Sequence, residues 1–314
     1  MKVLVFGSLN IDYVYHVDHI VSPGETETTT SYSVNCGGKG LNQSIALARA
    51  GADVWHAGMV GQEGTELLNK CVENGVHADF VRTISGSSGH TIIQVDKDGN
   101  NSILLYGGAN QSITNEFIDE VLNSFESGDI ILLQNEINLL DVIMDKAYGK
   151  GLQIVLNPSP YNDTLAKCDL SKVSYFILNE IEGEQMTGMK EPLDIVNEIY
   201  RLYPSSKIVL TLGDKGSMYF DGVEVSKQEA FKVKAVDTTA AGDTFTGYFI
   251  ASLICGLEIK NDIIDHIVKN PNEALKIASM ASALAVTKAG ALDSIPLKKE
   301  VLNSLQHIEG KNTL

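Results

Sequence analysis

The segment Val236-Asp237-Thr238-Thr239-Ala240-Ala241-Gly242-Asp243-Thr244-Phe245-Thr246-Gly247 places one carboxylate among small residues, where the apolar helical pattern Phe245, Phe249, Leu253 begins. Amides at a helix start lack intrahelical acceptors, so those of Ala241, Gly242 and Asp243 would face an incoming anion. Such a hole suits the charge that develops on a transferring phosphoryl group. Asp243 beside it could accept a hydroxyl proton, because phosphoryl transfer needs little beyond positioning and a base. The plainer alternative is that Asp243 only complements the helix dipole.

A second glycine-rich segment, Asn35-Cys36-Gly37-Gly38-Lys39-Gly40-Leu41-Asn42-Gln43, also opens a helical pattern. Glycines there allow close backbone approach to a ligand, and Lys39 and Asn42 add donors suited to hydroxyls or phosphate. The alternative is a loop whose glycines serve only to turn the chain. The segment is not G-x-x-x-x-G-K-[ST], so it is no P-loop. Gly7-Ser8-Leu9-Asn10 is not G-x-G-x-x-G, which removes the main support for a dinucleotide-binding dehydrogenase.

These residues need elements to hold them. Short apolar, β-branched runs at residues 3–6, 54–58, 130–134, 154–157, 175–178 and 208–212 mostly lack polar alternation, as strands buried on both faces do. Helical patterns fall between them at 41–50, 65–74, 115–124, 139–148, 193–202 and 244–255, and Gly51, Gly75 and Gly151 sit at helix stops. This alternation predicts a doubly wound, mainly parallel α/β sheet flanked by helices, with a TIM barrel as the other arrangement. Residues 12–35 and 90–107 break the pattern. Both read as exposed antiparallel strands, the second with an Asp96-Lys97-Asp98-Gly99-Asn100 turn, and together they predict a small sheet serving as a lid.

In an open α/β sheet, ligands bind beyond the carboxyl ends of the strands. The residues following the predicted strands are Asn10 and Asp12, Glu136, Asn157, then Asn179, Glu180 and Glu182, then Thr211-Leu212-Gly213-Asp214-Lys215-Gly216. Each alone could be a turn former. Their convergence on one rim predicts a polar small-molecule cleft.

Composition bounds the partners. The 314 residues hold 24 Lys+Arg against 40 Asp+Glu, a formal net charge of -16. Nucleic acid and anionic membranes are poor partners for such a surface. Four dispersed cysteines, Cys36, Cys71, Cys168 and Cys255, form no C-x-x-C pair and read as free thiols. The apolar stretch 272–289 contains Glu273, Lys276 and Lys288 and reads as a buried helix, so a soluble, cytoplasmic protein is expected.

With these motifs in view, the chain resembles the pfkB-like carbohydrate kinase family, which includes ribokinase, fructokinases and adenosine kinase. The resemblance runs from about Lys2 to Pro296. It rests on Gly7-Ser8-Leu9-Asn10-Ile11-Asp12, Pro23-Gly24-Glu25-Thr26, the Gly37–Gln43 run, Asn179-Glu180-Ile181-Glu182, Thr211-Leu212-Gly213 and Asp237–Asp243. It implies one ribokinase-like domain over residues 1–314 that transfers the ATP γ-phosphoryl group to the 5-hydroxyl of D-ribose. Asp243 matches the family's base and Ala241-Gly242 its anion hole. Asn10, Asp12, Gly38, Lys39, Asn42 and Glu136, with Asp243, match sugar-holding positions. Asn179, Thr211, Gly213, Gly216 and Gly242 match the ATP site, with Ser279 at an adenine-flanking position and Glu182 linked to Mg²⁺ and phosphate. The resemblance further implies a K⁺ activator held by Asp237, Thr239, Ala285, Lys288, Gly290 and Ser294. For Lys288 only its carbonyl can ligate a cation. A homodimer through the β lid is implied likewise.

Two departures stand out: Leu41, where alanine is usual, is expected to reshape the sugar pocket, and Ser279 stands where histidine or asparagine is common. The alternatives are a kinase for fructose, deoxyribose or pseudouridine, or a sugar-binding sensor without turnover, which would need neither Asp243 nor the Ala-Ala-Gly loop. ATP is itself a polyanion, so the acidic chain must supply positive field locally, from helix N-termini, glycine amides, Lys39 and Mg²⁺.

Overall fold

The structure, a computed structural model, describes residues 1–255 and 270–311. Nine strands form one open sheet: β1 (Val3–Phe6), β4 (Val54–Val60), β5 (His77–Thr83), β8 (Ile130–Gln134), β9 (Gln153–Asn157), β10 (Tyr175–Asn179), β11 (Lys207–Thr211), β12 (Ser217–Phe220) and β13 (Val225–Gln228). The order across it is β13-β12-β11-β10-β9-β8-β1-β4-β5. Pairing is parallel from β5 through β11 and antiparallel for β12 and β13. Two free edges rule out the barrel.

Side chains alternate across this sheet, and each face has its own core. Val3 and Val5 join helices α1 (Lys39–Ala50), α2 (Thr65–Glu73), α7 (Ala241–Cys255), α8 (Pro271–Ala285) and α9 (Lys298–Lys311). Leu4 and Phe6 join α3 (Asn115–Leu122), α4 (Leu140–Gly149) and α6 (Pro192–Leu202) on the other face. Both faces of each central strand are therefore apolar, which is why alternation is missing from their sequences. Leu41 is fully buried in the first core.

The second sheet has the order β3-β2-β6-β7, from β2 (Asn10–His16), β3 (Ser31–Gly37), β6 (Gly89–Val95) and β7 (Asn101–Tyr106). Each hairpin is antiparallel as expected, and the two are joined by a parallel β2–β6 pairing. The apolar stretch after Asn272 is α8, with buried Leu275, Ile277 and Ala281. No helix among the described residues is long and apolar enough to cross a membrane. Cys36, Cys71 and Cys168 are free thiols, whereas the Cys255 side chain lies outside the described residues.

This topology fixes where a site can form. From β1 the chain builds outward through β4 and β5, then returns to β8 on the opposite side and continues to β11. The winding reverses between β1 and β8, and a crevice opens beyond the carboxyl ends of those strands.

Candidate active site

Gln134 and Asn157 end the adjacent strands β8 and β9 and are register partners. Above them, the N-terminal turns of α1 and α7 converge. Asp243, on the first turn of α7 and 7% exposed, accepts hydrogen bonds at both carboxylate oxygens. Asn42 Nδ2 donates to Oδ2 at 2.9 Å and Gln43 Nε2 donates to Oδ1 at 2.8 Å. Asn42 Oδ1 is buried with no partner, an acceptor suited to a ligand hydroxyl.

A cavity of ≈ 240 Å³ adjoins this carboxylate, lined among others by Lys39, Asn179, Glu182, Thr211, Gly242 and Asp243. The start of α7 is shaped for an anion. Ala240 is left-handed at φ 58, which is uncommon for a non-glycine residue and turns the chain sharply into the helix. The Ala241 amide donates to Thr238 O at 3.3 Å, so it is already engaged. The Gly242 and Asp243 amides have no backbone acceptor among the described residues. No protein atom lies within 4 Å of where a Gly242 Cβ would stand, so glycine there leaves room beside the amides.

Glu136 and Lys39 form the charged corner. The Lys39 amide donates to Glu136 Oε2 at 3.2 Å, and the Ser8 hydroxyl donates to the same oxygen. Burial raises the Glu136 pKa, an effect that Lys39 and Ser8 only partly offset. Burial also pulls the Lys39 ammonium down, but Asp243, Glu136 and Glu182 outweigh it and hold its pKa above the ordinary value. Lys39 is therefore a lasting positive charge facing the cavity. Asp12 accepts from Thr91 Oγ1 at 2.6 Å, and its pKa is raised to about 6, chiefly by burial and further by Glu136. Gly37 leaves the space its carboxylate occupies, since a Cβ there would lie 1.9 Å from Asp12 Oδ2. Gly38, at φ 95, starts α1 in a conformation that favours glycine. In this segment, then, Gly37 and Gly38 each have a packing or backbone reason to be glycine, while Lys39 lines the cavity and Asn42 meets it through Asp243. Asn10 is buried and accepts from Asn110 Nδ2 at 2.7 Å.

On the far side of the cavity, Asn179 and Glu182 form a reciprocal capping box on α5 (Glu180–Thr187). Glu182 N donates to Asn179 Oδ1 at 2.9 Å, and Asn179 N donates to Glu182 Oε2 at 3.0 Å. The N-x-x-E spacing is thus a helix start, with one further polar atom on each residue for the cavity. Gly213 and Gly216 lie in the turn after β11. A Cβ on Gly216 would stand 2.0 Å from Gln228 O, a packing reason for that glycine. Ser279 of α8 is buried and shares a 3.3 Å hydrogen bond with Ser217.

The expected cation ligands are joined in part. Asp237 Oδ1 accepts from Thr239 N and Oγ1 at 2.9 and 2.6 Å, and Oδ2 accepts from Gly290 N at 2.9 Å. Partial burial pushes the Asp237 pKa up, but these donors outweigh it and leave it lowered. The Ala285 carbonyl accepts from the Lys288 amide at 3.0 Å, and Lys288 Nζ reaches Glu300 at 3.2 Å. Ser294 Oγ turns away to donate to Ala291 O at 2.8 Å. The residues that sequence reasoning gave no role are Gln43, Gln134 and Asn110. Asn-Gln at a helix start and Gln at a strand end read as ordinary polar residues, and only the fold brings them together.

Residues 1–298 match the family model described as pfkB family carbohydrate kinase. A ribokinase of Haemophilus influenzae is 34% identical over 96% of this chain and 98% of that protein. A deoxyribokinase of Salmonella typhi is 30% identical over 94% of this chain and 96% of that one. Among solved structures, an Arabidopsis thaliana ribokinase complexed with ribose and ATP superposes with a TM-score of 0.80 at 28% identity, covering 96% of this chain and 97% of that one. A family match over nearly the whole chain, on a fold that carries a carboxylate between two helix starts, makes this protein a member of the pfkB family of carbohydrate kinases, phosphotransferases that act on a sugar hydroxyl.

Proposed function

We propose that the chain transfers the γ-phosphoryl group of ATP to the 5-hydroxyl of D-ribose. The observation that carries this reading is the position of Asp243. Its carboxylate is oriented by two amide donors, borders the cavity, and adjoins the free Gly242 and Asp243 amides at the start of α7. Asp243 accepts the proton of the attacking hydroxyl. The amides and Lys39 face the charge that develops on the phosphoryl oxygens. Asp12, Asn42 and Glu136 hold the sugar's other hydroxyls, the unpartnered Asn42 Oδ1 accepting one of them.

The donor set also fits the groups the family uses. Glu182, Lys39 and the capped Asn179 suit a magnesium-bound nucleotide, whose ion neutralises phosphate charge when bound. The Asp237 loop, with the Gly290 turn tied to it, suits a monovalent cation that takes carbonyl and carboxylate oxygens. The four-stranded sheet acts as the lid over the sugar. Tyr32, Val34, Leu104 and Tyr106 on it are about half exposed or more, an apolar surface that pairing with a second lid would cover.

The deoxyribokinase relative makes 2-deoxyribose the second substrate to test. A coupled ADP-release assay with ribose, deoxyribose, fructose, adenosine and pseudouridine, with and without K⁺, decides. Ribose should give the largest kcat/KM, and another sugar ranking above it would replace ribose in this reading.

A further inference from the structure

The buried amides beneath Asp243 form a chain whose direction is set at one end. Asn157 Nδ2 donates to the Ile177 carbonyl at 2.8 Å, and a backbone carbonyl can only accept. Asn157 Oδ1 must therefore face its other neighbour, Gln43 Nε2, at 3.1 Å. Gln43 Nε2 has two hydrogens, and the second goes to Asp243 Oδ1 at 2.8 Å. With its nitrogen so committed, Gln43 presents Oε1 to Gln134 Nε2 at 2.6 Å. Flipping either the Asn157 or the Gln43 amide would set oxygen against oxygen. Gln43 and Gln134 are fully buried, so water does not compete for these bonds. Gly7 leaves the Gln134 carboxamide its place, since a Cβ there would lie 2.2 Å from Gln134 Oε1.

From this directional chain we infer that Gln43 is a positioning residue, held by Gln134 and Asn157, that fixes the orientation of the Asp243 carboxylate. The inference rests on the proposed role of Asp243 as base. One donor on each carboxylate oxygen fixes the plane of the group. Asn42 supplies that second donor but also faces the sugar through its free Oδ1, whereas Gln43 has no polar atom left for a ligand. Losing Gln43 should therefore impair the chemical step and leave sugar affinity intact.

The test compares wild type, Gln43→Met, Gln134→Leu and Asp243→Asn by steady-state kinetics with ribose, by ribose titration calorimetry, and by thermal unfolding. Gln43→Met keeps the side-chain length and removes all three hydrogen bonds. It should lower kcat by about 10- to 100-fold, as loss of a charge-assisted hydrogen bond does, with ribose Kd changed less than about twofold. Gln134→Leu, which does not touch Asp243, should produce a smaller change of the same kind, and it serves as the probe if Gln43→Met does not fold. A Gln43→Met protein that folds with kcat unchanged overturns the inference, as does a ribose Kd that rises in step with the loss of kcat. An Asp243→Asn enzyme that still turns over overturns the underlying base assignment, and the inference with it.

Discussion

Gly247 of α7 lies against Ala46 of α1 with no space for a side chain, since a Cβ on the glycine would stand 2.4 Å from the Ala46 Cβ and 2.8 Å from the Leu47 nitrogen. One helical turn earlier on each helix stand Asp243 and Asn42, which are hydrogen-bonded at 2.9 Å. The close helix crossing therefore sets the reach of the bond in the site. Gly247→Ala tests this dependence. Alanine favours a helix interior by about 1 kcal/mol over glycine. The opposing contacts include rigid backbone, and overpacking of that kind costs about 1–3 kcal/mol. Strain should win. The urea midpoint should fall and kcat should drop at least tenfold, whereas a more stable, fully active variant would show that the crossing has slack.

Asp243→Asn removes the proton acceptor while nearly preserving shape. Turnover should fall by about 10³-fold or more, because both the base and its charge are lost. Ribose binding measured by calorimetry should stay within about threefold of wild type. Near-normal kcat would remove Asp243 from the chemistry.

The same two helix starts show what the sequence made legible. Glycines and a lone carboxylate ahead of apolar helical patterns pointed to an anion site, and the β-branched runs located six of the nine sheet strands. β5 was missed because polar His77, Asp79 and Arg82 interrupt its apolar residues at a sheet edge. β12 and β13 follow a tight turn after β11 and are only four residues each, too short to carry a period. Asn179-x-x-Glu182 was legible as a motif, yet its physical cause is a capping box, which local spacing alone could have identified. Gln43 and Gln134 could not be found that way. They stand 91 positions apart, and their polarity has meaning only once β8 and β9 lie in register beneath α1.

Asp12 gives the proposed sugar site a pH dependence. Its pKa rises from the ordinary 3.8 to about 6, mainly because burial disfavours the charge. A carboxylate that accepts sugar hydroxyls is then mostly protonated at pH 5. Affinity for ribose should fall about tenfold between pH 7 and pH 5, and Asp12→Asn should bind weakly but with no such dependence. Calorimetric titration at the two pH values checks this, and a wild-type affinity flat across the range would detach Asp12 from the sugar.

Stability should respond to acid through buried His56 and half-buried Asp12, which act in opposite directions. His56 of β4 is fully buried, its Nδ1 2.7 Å from Ser44 Oγ and its Nε2 3.3 Å from the Gly7 carbonyl. Burial lowers its pKa from 6.5 to about 4, against a smaller opposing pull from the Gly7 carbonyl. Between those values the unfolded chain takes up a proton that the native chain refuses, so stability falls as pH drops from about 6.5 to 4, by at most about 3 kcal/mol. Asp12 does the reverse. Its native form holds a proton between 3.8 and about 6 that the unfolded form releases, so stability rises as pH drops through that window, by at most about 3 kcal/mol. The two contributions overlap and largely cancel, leaving wild-type unfolding nearly insensitive to pH from 6 to 4 as far as these groups decide it. Asp12→Asn should uncover the His56 effect as a steep loss of stability with acid, and His56→Gln should uncover a gain. Chemical denaturation of both variants at half-unit pH steps distinguishes the signs, and equal slopes in the two proteins would refute the opposition.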